Sequence, residues 1–149
     1  MKVFYDDRQN VENNKSFSPS AEKPIKALKS WQEKVFVEIM AVTPTNFEEL
    51  SLVHDPDHIR KILNCEKDNG FHNRSKEIAD SLLWTNGSFL SAARYAAKNK
   101  VNTVSPTSGF HHACYNEVMG FCTFNGLMLS AVLLKREGLA NRIAIADID

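Results

Sequence analysis

The run Arg142-Ile143-Ala144-Ile145-Ala146-Asp147-Ile148 constrains the fold of this chain more than any other segment. A strand with one wet face alternates apolar and polar residues, but this run is apolar on both faces until Asp147. It is expected to be a strand buried on both sides, as in a parallel sheet covered by helices. Three shorter runs suit the same sheet: residues 2–5, 35–40 and 101–104, the second dense in β-branched and apolar side chains. Parallel neighbours need long crossovers, and helical patterns lie between these runs. The order is strand, helix, strand, several helices, strand, helix, strand, which defines a layered α/β fold. At 149 residues with 43% hydrophobic content, the chain can build one core.

The helical segments carry their own punctuation. Ser18-Pro19-Ser20 and Pro24 mark a start, because proline suits a first helical turn, and Ile25, Leu28 and Trp31 follow at helical spacing to an end near Lys34. Thr45-Asn46-Phe47-Glu48 has the form of a capping box opened by Thr45. Asp55-Pro56 sets a cap ahead of Ile59, Ile62 and Leu63. A polar loop over 68–75 precedes a long helical pattern over 76–98. There Ile78, Leu82, Leu90, Ala93 and Ala97 fall near one face, and Asn86-Gly87 predicts a break or kink. A last helix is expected over 124–137 with Leu127, Met128, Ala131 and Leu134 inward and Gly138 as its stop.

Several function classes lose support on composition. With 18 Lys+Arg against 18 Asp+Glu, no charge imbalance asks for a nucleic-acid or membrane-surface partner. The apolar start at residues 1–5 is too short for a secretory signal, and no run approaches the roughly 18 residues of a membrane span. Cys65, Cys114 and Cys122 are odd in number and lack a framework spacing. They read as thiols of a reducing compartment, so the expected location is cytoplasmic. Neither G-x-G-x-x-G nor G-x-x-x-x-G-K-[ST] occurs, which disfavours a nucleotide-binding α/β domain.

Three features carry chemistry. His111-His112 sits in a loop after a predicted strand, Gly120-Phe121-Cys122 turns just before a helix, and Asp147-Ile148-Asp149 closes the last predicted strand. Ligand sites of open parallel sheets gather at the carboxyl ends of strands. Paired imidazoles suit proton transfer, one serving as base while its neighbour donates. Carboxylates at alternate strand positions point the same way, so one can ligate a cation while the other holds an imidazole N–H.

In order and spacing, Ser108-Gly109-Phe110-His111-His112-Ala113, then Gly120-Phe121-Cys122-x-Phe124-Asn125, then Ile145-Ala146-Asp147-Ile148-Asp149 resembles the histone deacetylase and acetylpolyamine amidohydrolase superfamily. Leu52-Val53-His54-Asp55, leading into a helix, resembles it too. The resemblance implies a three-layer arginase-like α/β fold with a mainly parallel central sheet, incomplete in this chain. It also implies hydrolysis of an acetyl amide on lysine or a polyamine, with zinc as cofactor. By the same resemblance Asp149 is the first zinc ligand, His112 the general base and His111 its partner, oriented by Asp147. Asp147 also resembles a residue of a structural monovalent-cation site, such as one for K+, and Gly120 and Phe121 line the substrate channel. Many relatives place Pro-Gly before the His pair, whereas Gly109-Phe110 stands here.

The resemblance puts a zinc-binding histidine two positions beyond Asp149. Residues 1–149 are therefore expected to be the N-terminal portion of one deacetylase-like domain, inactive alone. The competing expectation is a non-enzymatic half-fold module that self-associates into a homo-oligomer through an open sheet edge. Other residues have plainer readings. His54 and His58, flanking a helix start, read as surface or capping residues, and His72 as a loop residue. Cys122 reads as a small buried hydrophobe, and Trp31 and Trp84 as core or partly buried aromatics.

Overall fold

The computed structural model describes residues 1–12 and 16–148. Its sheet is built around β1 (Lys2–Phe4), which pairs in parallel with β2 (Glu38–Met40), Val3 facing Ile39. On the other side of β1, Val104 adds a single parallel bridge. There the Phe4 amide donates to the Val104 carbonyl at 2.8 Å and the Val104 amide to the Lys2 carbonyl at 3.0 Å.

The period-two alternation of β1 sorts its side chains into two layers. Val3 and Tyr5 face α1 (Lys23–Gln32), packing with Leu28, Ile25 and Trp31. Phe4 faces α4 (Lys76–Asn99), where its ring meets Tyr95 at 5.5 Å and its carbonyl accepts the Ser88 hydroxyl at 2.6 Å. Helices thus cover both faces of a parallel sheet, the three-layer α/β arrangement.

The largest core lies on the far side of α4. Leu82 and Leu90 of α4 pack with Leu50 of α2 (Phe47–Leu50), Ile59 and Ile62 of α3 (Pro56–Leu63), and Leu129 and Leu133 of α5 (Gly126–Arg136), all around Phe124. Full burial of each such side chain stabilises by about 1.5–3 kcal/mol. Arg94 on α4 ties this assembly at its edge, donating to Glu137 beyond α5 and to Glu49 of α2. Among the described residues no helix is long and apolar enough to cross a membrane.

Several sequence expectations change. The helix α4 runs unbroken through Asn86-Gly87. Gly87 serves close approach: a Cβ there would lie 2.2 Å from the Thr43 carbonyl oxygen and 2.6 Å from Pro44 Cα. The segment entering α2 crosses α4 at that point, with the Thr45 amide donating to the Leu83 carbonyl at 3.0 Å. The α2 cap is Asn46 rather than Thr45, with Glu49 completing the capping box, because Thr45 is buried against α4.

The strand expected over 35–40 begins only at Glu38; Val35 and Phe36 are exposed, with the Val35 amide still turned back to Trp31. The run 101–104 contributes one bridge instead of a strand. On α5 the buried residues are Gly126, Leu129, Ser130, Leu133 and Leu134, while Met128 is exposed. Asn125 caps this helix, so it starts later than expected; of the residues expected inward, Leu134 is buried and Leu127 and Ala131 are half-buried.

The run 142–148 departs most from its reading. It is exposed and forms no strand. Apolar composition on two faces specifies burial, but a strand also needs a ladder partner, and among the described residues none lies beside it. Residues 143–146 instead border a cavity of about 340 Å³ against Phe89 of α4 and Leu127, Ser130 and Leu134 of α5.

Candidate active site

The segment 105–125 leaves the sheet on the carboxyl side of Val104 and returns to cap α5. Its start is pinned by the Ser105 hydroxyl, 2.6 Å from that of Ser88 on α4. Phe110 is then driven into the interior, 5.4 Å from the Phe89 ring and directly under Gly126, where a Cβ would strike the Phe110 ring at 2.9 Å. The Ala113 amide donates back to the Phe110 carbonyl at 3.1 Å, closing a four-residue turn whose two central residues are His111 and His112. A buried residue at each end, Phe110 and Ala113, thus presents both imidazoles outward.

The two rings lie 4.0 Å apart by centroid. Asp147 Oδ2 stands 3.4 Å from His111 Nδ1. His112 lies on Gly120: a Cβ at that glycine would meet His112 Cδ2 at 2.4 Å. His111, His112, Asp147 and Gly120 are therefore brought together on one surface.

Gly120 and Phe121 form the centre of a tight turn in which Met119 and Cys122 exchange both backbone hydrogen bonds, at 3.2 and 2.8 Å. Both central residues have positive φ, +55° and +63°, the backbone of a type I′ turn. That conformation is strained for a bulky residue such as Phe121, costing about 1–3 kcal/mol. Aromatic contacts oppose the strain, since the Phe121 ring meets Phe17 edge-on at 5.1 Å, His72 at 5.9 Å and Phe71 at 6.3 Å. Cys122 is buried beneath the turn as the sequence reading held, its backbone 2.8 Å from where a Cβ on Gly70 would sit.

His54 and His58 correct the reading as surface or capping residues: they are 1% and 3% exposed. His54 Nε2 accepts from the Asn125 amide at 2.8 Å, which assigns the ring proton to Nδ1, directed at the Tyr115 carbonyl at 3.2 Å. Burial holds this imidazole below its ordinary range, opposed by its backbone partners. His58 Nδ1 lies 3.1 Å from Lys67 Nζ, which also donates to the Asn116 carbonyl at 2.9 Å. Burial, then the Lys67 cation and His54, pull the His58 pKa down to about 4 against the pull of Asp55. The Phe124 ring packs against both imidazoles, 5.3 and 6.1 Å away. A histidine one residue before a helix cap carries no local sign of burial, because the contacts that enclose it come from about 60–70 residues further along.

Asp149, the candidate metal ligand, lies outside the described residues. Among those described, no group of three His, Cys, Asp or Glu side chains is placed to hold a metal ion.

A parallel sheet between helix layers, with a tandem-histidine turn at its carboxyl edge beside a carboxylate, defines a three-layer α/β domain. The chain belongs to the histone deacetylase domain family, whose model matches residues 16–149. The fold agrees with the crystal structure of the HDA15 HD domain at a TM-score of 0.72 and 17% identity, covering 92% of this chain. The chain spans 43% of that structure's length. No curated protein matches the sequence.

Proposed function

We propose that this chain contributes the histidine side of the active centre of a zinc-dependent deacetylase that hydrolyses an acetyl amide on lysine or a polyamine. The observation that carries the reading is the outward-facing His111–His112 turn, with Asp147 3.4 Å from one ring and Gly120 beneath the other. In this assignment Asp147 fixes the tautomer and orientation of His111 through Nδ1. His112, seated against Gly120 where no side chain can displace it, takes the proton of the attacking water. Gly120 and Phe121 border the path of the substrate's aliphatic chain, which an aromatic ring accompanies without demanding a hydrogen bond.

Zinc would supply a polarised carbonyl and an activated water. Its assignment rests on family membership and on Asp149 by resemblance. The described side chains do not by themselves fit a closed zinc site, which takes four ligands. Residues 1–149 are read as the N-terminal portion of a single deacetylase domain; the 43% coverage of the similar structure supports a portion, and the motif resemblance supports its N-terminal placement. The odd cysteine count supports a cytoplasmic location.

The test is His112→Ala in the full-length protein. Hydrolysis of acetyl-lysine peptide or acetylpolyamine should fall by about 10²–10⁴-fold while bound zinc, measured by elemental analysis, is retained. Activity near that of the parent removes His112 from the base role.

A further inference from the structure

The loop that presents the two histidines reaches the core through a short chain of hydrogen bonds beginning at His54. The Asn125 amide donates to His54 Nε2 at 2.8 Å. The Asn125 side chain works in two directions: Oδ1 accepts the Met128 amide at 3.1 Å and caps α5, while Nδ2 donates to the Ala113 carbonyl at 3.1 Å. Ala113 is the residue whose amide closes the turn onto Phe110. On its other edge, the His54 ring meets the Tyr115 carbonyl, which also accepts the Asp55 amide at 3.0 Å. The segment 113–115 is therefore held at both ends by one buried imidazole and its partner.

We propose that His54 and Asn125 form a positioning latch that sets the His111–His112 turn, neither of them touching substrate. The inference rests on the reading of that turn as catalytic and deepens it. A neutral imidazole fits the task because it is rigid, accepts at one edge and donates at the other. Catalytic geometry tolerates little drift: a displacement of about 1 Å costs up to about 10²-fold in rate. Without the Asn125 donor, the Ala113 carbonyl loses its tie to the α5 cap, which removes the link between the turn's closing residue and the start of that helix.

Asn125→Asp tests the link directly. The carboxylate keeps the α5 cap, for which Asp is as good as Asn, but cannot donate to the Ala113 carbonyl. His54→Leu removes both bonds at the ring, and His54→Gln retains an acceptor and a donor. In the full-length protein, Asn125→Asp should keep its unfolding midpoint and lose about tenfold or more in kcat on acetyl-lysine peptide, with KM within roughly twofold. NMR with labelled histidine should show the His111 and His112 ring resonances displaced in Asn125→Asp and His54→Leu and restored toward the parent in His54→Gln. Unmoved His111 and His112 resonances in Asn125→Asp overturn the latch, as does a His54→Gln protein no better than His54→Leu. A parent without amide hydrolase activity whose histidine resonances still move sinks the proposed function and leaves the latch standing.

Discussion

An alanine at position 120 would bring its methyl group to 2.4 Å from the His112 ring, at a φ of +55° that disfavours any side chain. Two penalties coincide there: backbone strain of about 1–2 kcal/mol and displacement of a proposed catalytic ring. Gly120→Ala should lower deacetylase kcat/KM by about 10²-fold or more while circular dichroism stays native. Retention of kcat/KM would show that the His112 position does not depend on Gly120. His58 gives a pH prediction. Its folded pKa of about 4 lies below the unfolded value near 6.5. The unfolded chain therefore binds a proton first as pH falls, and stability drops between about pH 6.5 and 4. The loss is on the order of 2–3 kcal/mol, to which buried His54 adds in the same direction. Urea midpoints at pH 7.5, 5.5 and 4.5 should fall in that order, and His58→Phe should flatten the slope. The sequence named His111, His112 and Asp147 as neighbours through their resemblance to a known motif, although the flanking runs 101–104 and 142–148 did not become strands. It missed His54, whose role depends on contacts from residues 115 and 125.

At the scale of elements, Gly87 separates propensity from packing. Helix propensity alone predicts that Gly87→Ala stabilises α4 by about 1 kcal/mol. The Thr43 carbonyl, 2.2 Å from the position of the new methyl group, predicts a loss of about 1–3 kcal/mol instead. Denaturant titration decides between the two signs, and a gain in stability would mean that the segment over 43–45 yields freely. The same residue explains why a dipeptide that reads as a break lies inside a continuous helix. Local sequence marks Asn86-Gly87 as turn-prone, but α4 is held on one side by the crossing strand-to-α2 segment and on the other by α5. Caps were more legible. Asp55 accepts the amide three residues on, as its sequence context predicts, and Ser75 at the end of the polar loop caps α4 in the same way. The α2 cap moved by one residue because Thr45 turns inward to Leu83.

For the whole molecule, the separation of donors along the chain matters most. His111 and Asp147 meet although they stand 36 positions apart, and they do so without strand pairing of residues 142–148. With no three-donor group among the described residues, the 149-residue chain should show no tight stoichiometric zinc site in equilibrium dialysis. Tight binding at one zinc per chain would reveal a ligand set unlike the one assigned. The sequence by itself determined the layered α/β class, most helices and the membership of the histidine cluster. Periodicity, caps and motif spacing are local properties, readable one segment at a time. Only the tertiary structure decided which apolar runs became strands, which glycine made room for a crossing segment, and which histidines were buried. Those outcomes depend on ladder partners and packing surfaces supplied by residues far away in the chain, whose arrangement no local window contains.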